Sequence, residues 1–174
     1  MWRPFQLNPE MPLNGMDRQQ YLTSKFGSEE NARSVYQRIE DEGKKNKIYF
    51  QFNKIAKTPN SFLSHKLLAY AHRKKKQTEV LELLFYKYFI EGEDIGSLDV
   101  LIRLSKDANI YDEHIEKYLN SKEDNDSLLS EEKQAKNIGI NSVPCFIFNK
   151  EIVVNGAQSM KNFIQIINSL YNNV

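Results

Sequence analysis

Cys145 is the one cysteine of the chain, and it opens an apolar run, Cys145-Phe146-Ile147-Phe148, directly behind Val143-Pro144. A lone thiol makes no intrachain disulfide, no Cys-x-x-Cys redox pair and no multi-cysteine zinc site. A reactive thiolate requires a nearby cation or a helix N-terminus. The flanking Phe and Ile promise neither, and they predict an inert thiol packed as a small hydrophobe. Val143-Pro144 suits the start of a strand, where a missing N–H costs no ladder bond. Local sequence favours a trans bond there, since only about 5–6% of X–Pro bonds in folded proteins are cis. His65 and His72 fall on roughly one helix face but too far apart to share a metal ion. Both read as hydrogen-bonded interfacial residues, although His65, on the first turns after Asn60, is also placed to reach a substrate. Arg73-Lys74-Lys75-Lys76 complements the dipole at a helix end and lacks the interleaved aromatics of a nucleic-acid patch. Glu123, Asp124 and Asp126 lack the glycine and spacing of a calcium loop. No glycine-rich phosphate loop, nucleophile elbow or paired-carboxylate motif is present.

The elements that would position these residues follow from periodicity. Met1 to Asn8 reads as a short extended segment, confined by Pro4 to a sheet edge. Asn8 to Gly15 is a loop dense in turn residues. From Met16 to about Lys136 the pattern is helical. Asp17 and Ser28 are placed as N-caps, and Gly43 as the residue after a C-terminus. Ile48, Phe50 and Phe52 alternate like a brief strand. Leu63, Leu67, Tyr70 and Ala71 share one helix face. Val80 to Ile90 is apolar nearly all round, which predicts a central, buried helix. Helices are expected at about Leu98 to Lys106 and Asp112 to Asn120, with a further one ending at Gly139. Cys145 to Phe148 and Ile152 to Val154 then predict a buried hairpin. A last helix carries Met160, Phe163, Ile164, Ile167, Leu170 and Tyr171 on one stripe. The order strand, helices, hairpin, helix is α/β with a large helical block interposed.

Composition narrows the functions. The 174 residues, 40% hydrophobic and 11% aromatic, suffice for one core with an inserted module. With 24 Lys and Arg against 23 Asp and Glu, the net charge of +1 gives no bulk attraction to nucleic acid or anionic membrane. No apolar run reaches the roughly 18 residues of a membrane span. The start, Met1-Trp2-Arg3-Pro4-Phe5, has neither the basic nor the apolar region of a secretory signal, so the cytoplasm is the expected compartment.

Several segments carry a specific resemblance. They are Trp2-Arg3-Pro4-Phe5-Gln6-Leu7-Asn8-Pro9, Met11-Pro12, Gly15-Met16-Asp17-Arg18, Tyr21-Leu22 and Lys25-Phe26-Gly27-Ser28. Pro59-Asn60 with His65, Leu84-Phe85, Tyr88-Phe89 and Asp94-Ile95-Gly96 continue the series. Gly139-Ile140, Val143-Pro144, Phe146 and Gly156-Ala157-Gln158 close it. Together they resemble the DsbA-like oxidoreductases of the FrnE type over nearly the whole chain. The resemblance implies an α/β thioredoxin-like fold, N-terminally incomplete, with a large α-helical insertion. Residues 1–15 and 137–174 would form the incomplete thioredoxin-like domain and residues 16–136 the inserted helical domain. It also implies thiol–disulfide exchange on a protein or small-molecule substrate, without a cofactor or metal. Val143-Pro144 would be a cis-proline loop, with Asn8 and Pro9 at the same sheet edge and Asn60 and His65 on the helix roofing the cleft.

The sequence departs from that family in one respect. Its members carry a strand and a Cys-x-x-Cys helix before the Trp-Arg-Pro-Phe segment, and the 174 residues hold neither. Exchange requires an attacking thiolate and a resolving partner. The expectation is a truncated oxidoreductase, inactive as given, whose first strand lacks its neighbour and offers an edge for homodimerisation. The alternatives are a non-catalytic helical binding module that keeps the cleft, or a relative of the glutathione-dependent 2-hydroxychromene-2-carboxylate isomerases. The Trp-Arg-Pro-Phe-x-Leu-Asn-Pro stretch favours the FrnE type.

Overall fold

The structure, a computed structural model, describes residues 1–172. The chain divides into two compact units, Met1–Glu131 and Glu132–Val174.

In the first unit, β1 (Met16–Asp17) pairs antiparallel with β2 (Lys57–Thr58). Helix α1 (Arg18–Phe26) starts where the Asp17 carboxylate accepts the Gln20 N–H at 2.9 Å. Helix α2 (Glu29–Lys45) starts where Ser28 Oγ accepts from Asn31 N at 3.2 Å. Both caps fall on the residues the sequence marks. Gly43 does not end α2 as expected. It lies inside the last turn, where a Cβ would come within 2.7 Å of the Ile48 carbonyl oxygen and the Phe50 ring. Its role is close packing.

The core is built by α3 (Phe62–Arg73), α4 (Gln77–Tyr86), α5 (Leu98–Asp107) and α6 (Ile115–Asn120). Leu67, Ala71, Val80, Leu101, Leu104 and Ile115 are fully buried in one cluster. Burying side chains of the Val and Leu class contributes about 1.5–3 kcal/mol each. The Val80–Ile90 stretch departs from the all-buried expectation. Phe85 and Tyr86 are exposed, and α4 passes into a π-helical turn at Lys87–Glu91. The turn directs Phe89 onto Phe50 and Phe52, with ring centroids 5.7 and 6.1 Å apart. Ile48 to Phe52 accordingly forms no strand: Gln51 N donates to the Phe89 carbonyl at 2.8 Å and a 3-10 turn follows at Phe52–Lys54.

The first eight residues are also not a strand. No other strand is hydrogen-bonded to them among the described residues, and an isolated strand has nowhere to place its backbone groups. Side chains of the helical block take that role. The Gln77 amide accepts from Trp2 N at 3.0 Å and donates to Trp2 O at 3.1 Å, so one side chain does for one residue what a ladder would do. Arg3 pairs with Glu131 at 2.8 Å. Replacing Gln77 with Ala removes both bonds to Trp2, of roughly 0.5–1.5 kcal/mol each, and a longer one to the Leu68 carbonyl at 3.4 Å. We expect amide exchange at Trp2 to accelerate about tenfold in Gln77→Ala, with protection of α3 and α4 retained. Unchanged exchange at Trp2 would refute the clamp.

The basic run at the end of α3 is solvated, as its position suggests, and three of its four side chains also form ion pairs. Arg73 binds Asp124, Lys74 binds Asp112 at 2.9 Å and Lys76 binds Glu79 at 2.7 Å. Tyr70 donates to Asp112 at 2.6 Å and Tyr118 to Asp124 at 2.6 Å. The bond from Tyr70, followed by that from Lys74, holds the Asp112 carboxyl down at about 2. Because this value lies below that of an unfolded aspartate, the stabilisation is present above about pH 4 and lost as pH falls through 2. Thermal unfolding between pH 4 and pH 2 should therefore lose less stability in Asp112→Asn than in the parent chain. Parallel pH profiles for the two would contradict it.

The second unit begins within α7 (Asn125–Asn137). It contains the antiparallel hairpin β3 (Cys145–Phe148) and β4 (Ile152–Asn155), with Ile147 opposite Val153, and helix α8 (Met160–Asn172). Phe163 of α8 packs edge-on against Phe146, with centroids 4.8 Å apart. On the other hairpin face Ile147 and Val153 are each 48% exposed, so the hairpin is not buried on both sides. Met160, Ile164 and Ile167 of the expected α8 stripe are exposed as well, and the Tyr171 side chain lies outside the described residues.

Candidate functional site

In the first unit the site residues gather around the turn from Asn8 to Met11, of which Met11 is buried. Met11 N donates to the Asn8 carbonyl at 3.0 Å, which places Pro9 at an exposed tip. Asn60 Nδ2 donates to Met11 O at 2.7 Å. Its Oδ1 accepts from Phe62 N at 2.9 Å, as at a helix start, and from Gln6 Nε2 at 3.4 Å. Asn60 thus ties the N-terminal segment to the first turn of α3. Its amide is occupied, which makes it a positioning residue in this structure. Asn8 Nδ2 donates to the Tyr21 hydroxyl at 3.0 Å. His65 lies one turn into α3, half-buried, with Nε2 3.5 Å from Ser61 Oγ. His72 is exposed, so the two histidines of α3 do not share an environment.

In the second unit Val143 and Pro144 are exposed immediately before β3, and the bond between them is cis. Gly156 N donates to Pro144 O at 2.8 Å, closing the open end of the hairpin. Cys145 is half-buried and in no disulfide. Asn8, Pro9 and Asn60 are therefore brought together by the Met11 turn, with His65 a turn further along α3, while Val143 and Pro144 belong to the other unit. Among the described residues no cluster of three or more His, Cys, Asp or Glu is placed to hold a metal ion. No helix among them is long and apolar enough to cross a membrane.

Sequence reasoning passed over one notable side chain. Arg18, at the start of α1, is only 9% exposed. The signal available was faint: Arg18, Tyr21 and Lys25 recur at the spacing of one helix face.

A hairpin entered through an X–Pro bond and backed by a C-terminal helix, in a chain with a long helical block, is the α/β architecture of a thioredoxin-like fold carrying a helical insertion. The sequence profile of the DSBA-like thioredoxin domain matches residues 1–168, and the chain belongs to that family. It is similar to the crystal structure of a probable DsbA oxidoreductase from Streptomyces coelicolor, with a TM-score of 0.89 and 20% identity over 99% of this chain and 75% of that one. It is also similar to a candidate protein disulfide isomerase from Nitrosomonas europaea, with a TM-score of 0.68 and 13% identity over 84% of this chain and 76% of that one. At these identities the likeness establishes the fold. No curated protein sequence matches the chain.

Proposed function

We propose that this chain is the substrate-facing part of a FrnE-type thiol–disulfide oxidoreductase whose redox cysteine pair lies outside these 174 residues. In the oxidising direction a substrate dithiol attacks the protein disulfide, a mixed disulfide forms, and the second substrate thiolate displaces it. The substrate leaves as a disulfide and the protein keeps two electrons and two protons as a dithiol. In this reading residues 1–15 and 137–174 belong to the thioredoxin-like domain and residues 16–136 to its insertion. Val143 and Pro144 contact the substrate beside the sulfurs, and Asn8, Pro9, Asn60 and His65 are further substrate-binding residues. The cytoplasm is its proposed compartment, since the chain depends on no disulfide of its own.

The observation that carries the reading is the family match across residues 1–168, which includes Val143-Pro144 at the mouth of β3. The hairpin supports it too. β3 pairs only with β4 among the described residues, and the exposed Ile147 and Val153 leave room for a further strand and helix. The expected pairing edge at Met1 to Asn8 is absent because that segment is no strand, and a homodimer is proposed through an edge of the hairpin instead. The test is a fusion that places a strand and a Cys-x-x-Cys helix before Trp2. The fused chain should oxidise a dithiol peptide through many turnovers, and its double Cys→Ser form should not. A folded fusion that does not turn over would overturn the proposal. The single cysteine favours a second reading, a binding module without redox chemistry. It requires a dithiol peptide to bind the 174-residue chain as tightly as it binds the folded but inactive fusion.

A further inference from the structure

Arg18 is a buried cation without an anion. Its Nη1 donates to Thr58 Oγ at 3.2 Å and, at the limit of hydrogen bonding, to the Tyr88 hydroxyl at 3.5 Å. The guanidinium carbon lies 4.9 Å from the centroid of the Tyr36 ring and 6.0 Å from that of Tyr21. Among the described residues no carboxylate pairs with it. Three other arginines of the first unit are matched, Arg3 with Glu131, Arg73 with Asp124 and Arg103 with Glu93, while Arg33 and Arg38 are exposed to water. Withdrawing a guanidinium from water is costly unless a counter-charge or a full set of acceptors replaces the water. Aromatic faces and hydroxyls offset that only in part.

The hydrogen bonding next to it is unbalanced in the same sense. The Tyr21 hydroxyl, on a buried residue, accepts from Asn8 Nδ2 at 3.0 Å and from Lys25 Nζ at 2.9 Å. Both its lone pairs are then used, and its own proton has no acceptor among the described residues. Lys25 makes no ion pair among them, and its ammonium lies 5.3 Å from the centroid of the Tyr21 ring. Arg18, Tyr21 and Lys25 thus line one face of α1 with two positive charges and spare N–H and O–H donors. Among the described residues, the donors on this face outnumber the acceptors. That is the chemistry of a site for an anion.

We propose that Arg18, Tyr21 and Lys25 bind the oxyanion head of a small molecule, a carboxylate or a phosphate. The guanidinium supplies its unused N–H groups, the Tyr21 hydroxyl its proton and Lys25 a second charge at the rim. Asn8 orients the Tyr21 hydroxyl, which connects the site to the turn holding Pro9 and Met11. The inference stands apart from the redox reading, because it concerns binding and requires no cysteine.

Thermal unfolding of the 174-residue chain, titrated with sodium phosphate and separately with sodium acetate at ionic strength held constant with sodium chloride, tests it. At least one oxyanion should raise the midpoint in a saturable way, and the arm that saturates at the lower concentration identifies the head group. The half-saturating concentration should rise at least tenfold in Arg18→Gln and about threefold in Lys25→Gln. It should not change in Arg33→Gln, an exposed arginine elsewhere in the same unit. Should Arg18→Gln not fold, Lys25→Gln, an exposed position, decides alone. Absence of saturable stabilisation by either anion, or an unchanged half-saturation in Lys25→Gln, would overturn the proposal.

Discussion

The purified 174-residue chain should fail to turn over in an insulin-reduction or peptide-oxidation assay. Storing two electrons as a protein disulfide requires two thiols within bonding distance, and the chain has only Cys145. A single thiolate can enter a mixed disulfide, but nothing in the same chain resolves it. At most one equivalent of substrate should therefore be captured per chain, and Cys145→Ser should abolish even that. Against an active dithiol exchanger the difference is all or none. Multiple turnovers by the isolated chain, persisting in Cys145→Ser, would show another chemistry at work and remove the basis of the redox proposal.

The Gly92→Ala variant should be severely destabilised. Gly92 ends the π-helical turn with a φ of 79°, in the left-handed region, where an L side chain costs about 1–2 kcal/mol. The space is also taken: a Cβ at Gly92 would lie 2.5 Å from the Lys54 carbonyl oxygen and 2.7 Å from its carbon. These are backbone atoms of the 3-10 turn at Phe52–Lys54, so no side-chain rotation relieves the clash. The two effects together should exceed about 3 kcal/mol, or roughly 6–12 °C in Tm for a chain of this size. Calorimetry of the variant checks it. A loss below about 1 kcal/mol would mean that the junction between the turn and the Phe50–Phe52–Phe89 cluster adapts freely.

The family was legible because it is written in contiguous segments. Trp2 to Pro9, Gly15 to Arg18 and Val143-Pro144 each retain their spacing whatever surrounds them, and the profile match over residues 1–168 agrees with them. Local physics was legible for the same reason. An N-cap such as Asp17 or Ser28 acts on an N–H three residues away, and the β3–β4 hairpin closes on its own short loop. The apolar faces of α3 and α5 repeat at helical period, so the core at Leu67, Leu101 and Leu104 follows from their order along the chain.

What the chain's order alone did not decide are the places where distant segments meet. Met1 to Asn8 has the composition of a strand, yet a strand exists only with a neighbour, and Gln77 from the helical block satisfies Trp2 instead. Gly43 suits a helix end by type, but the Phe50 ring against it decides that the helix continues. Phe85 lies in an apolar stretch, yet α4 packs through Val80 and Leu84 and leaves it exposed. Nothing in the order of residues singles out Arg18 as buried. Only packing against Tyr21, Tyr36, Thr58 and Tyr88, drawn from four separate segments, makes it a buried cation. Periodicity records which face of an element is apolar. Which partner covers that face, and which charge is left without one, is set by contacts across tens of residues, and these exist only in the folded chain.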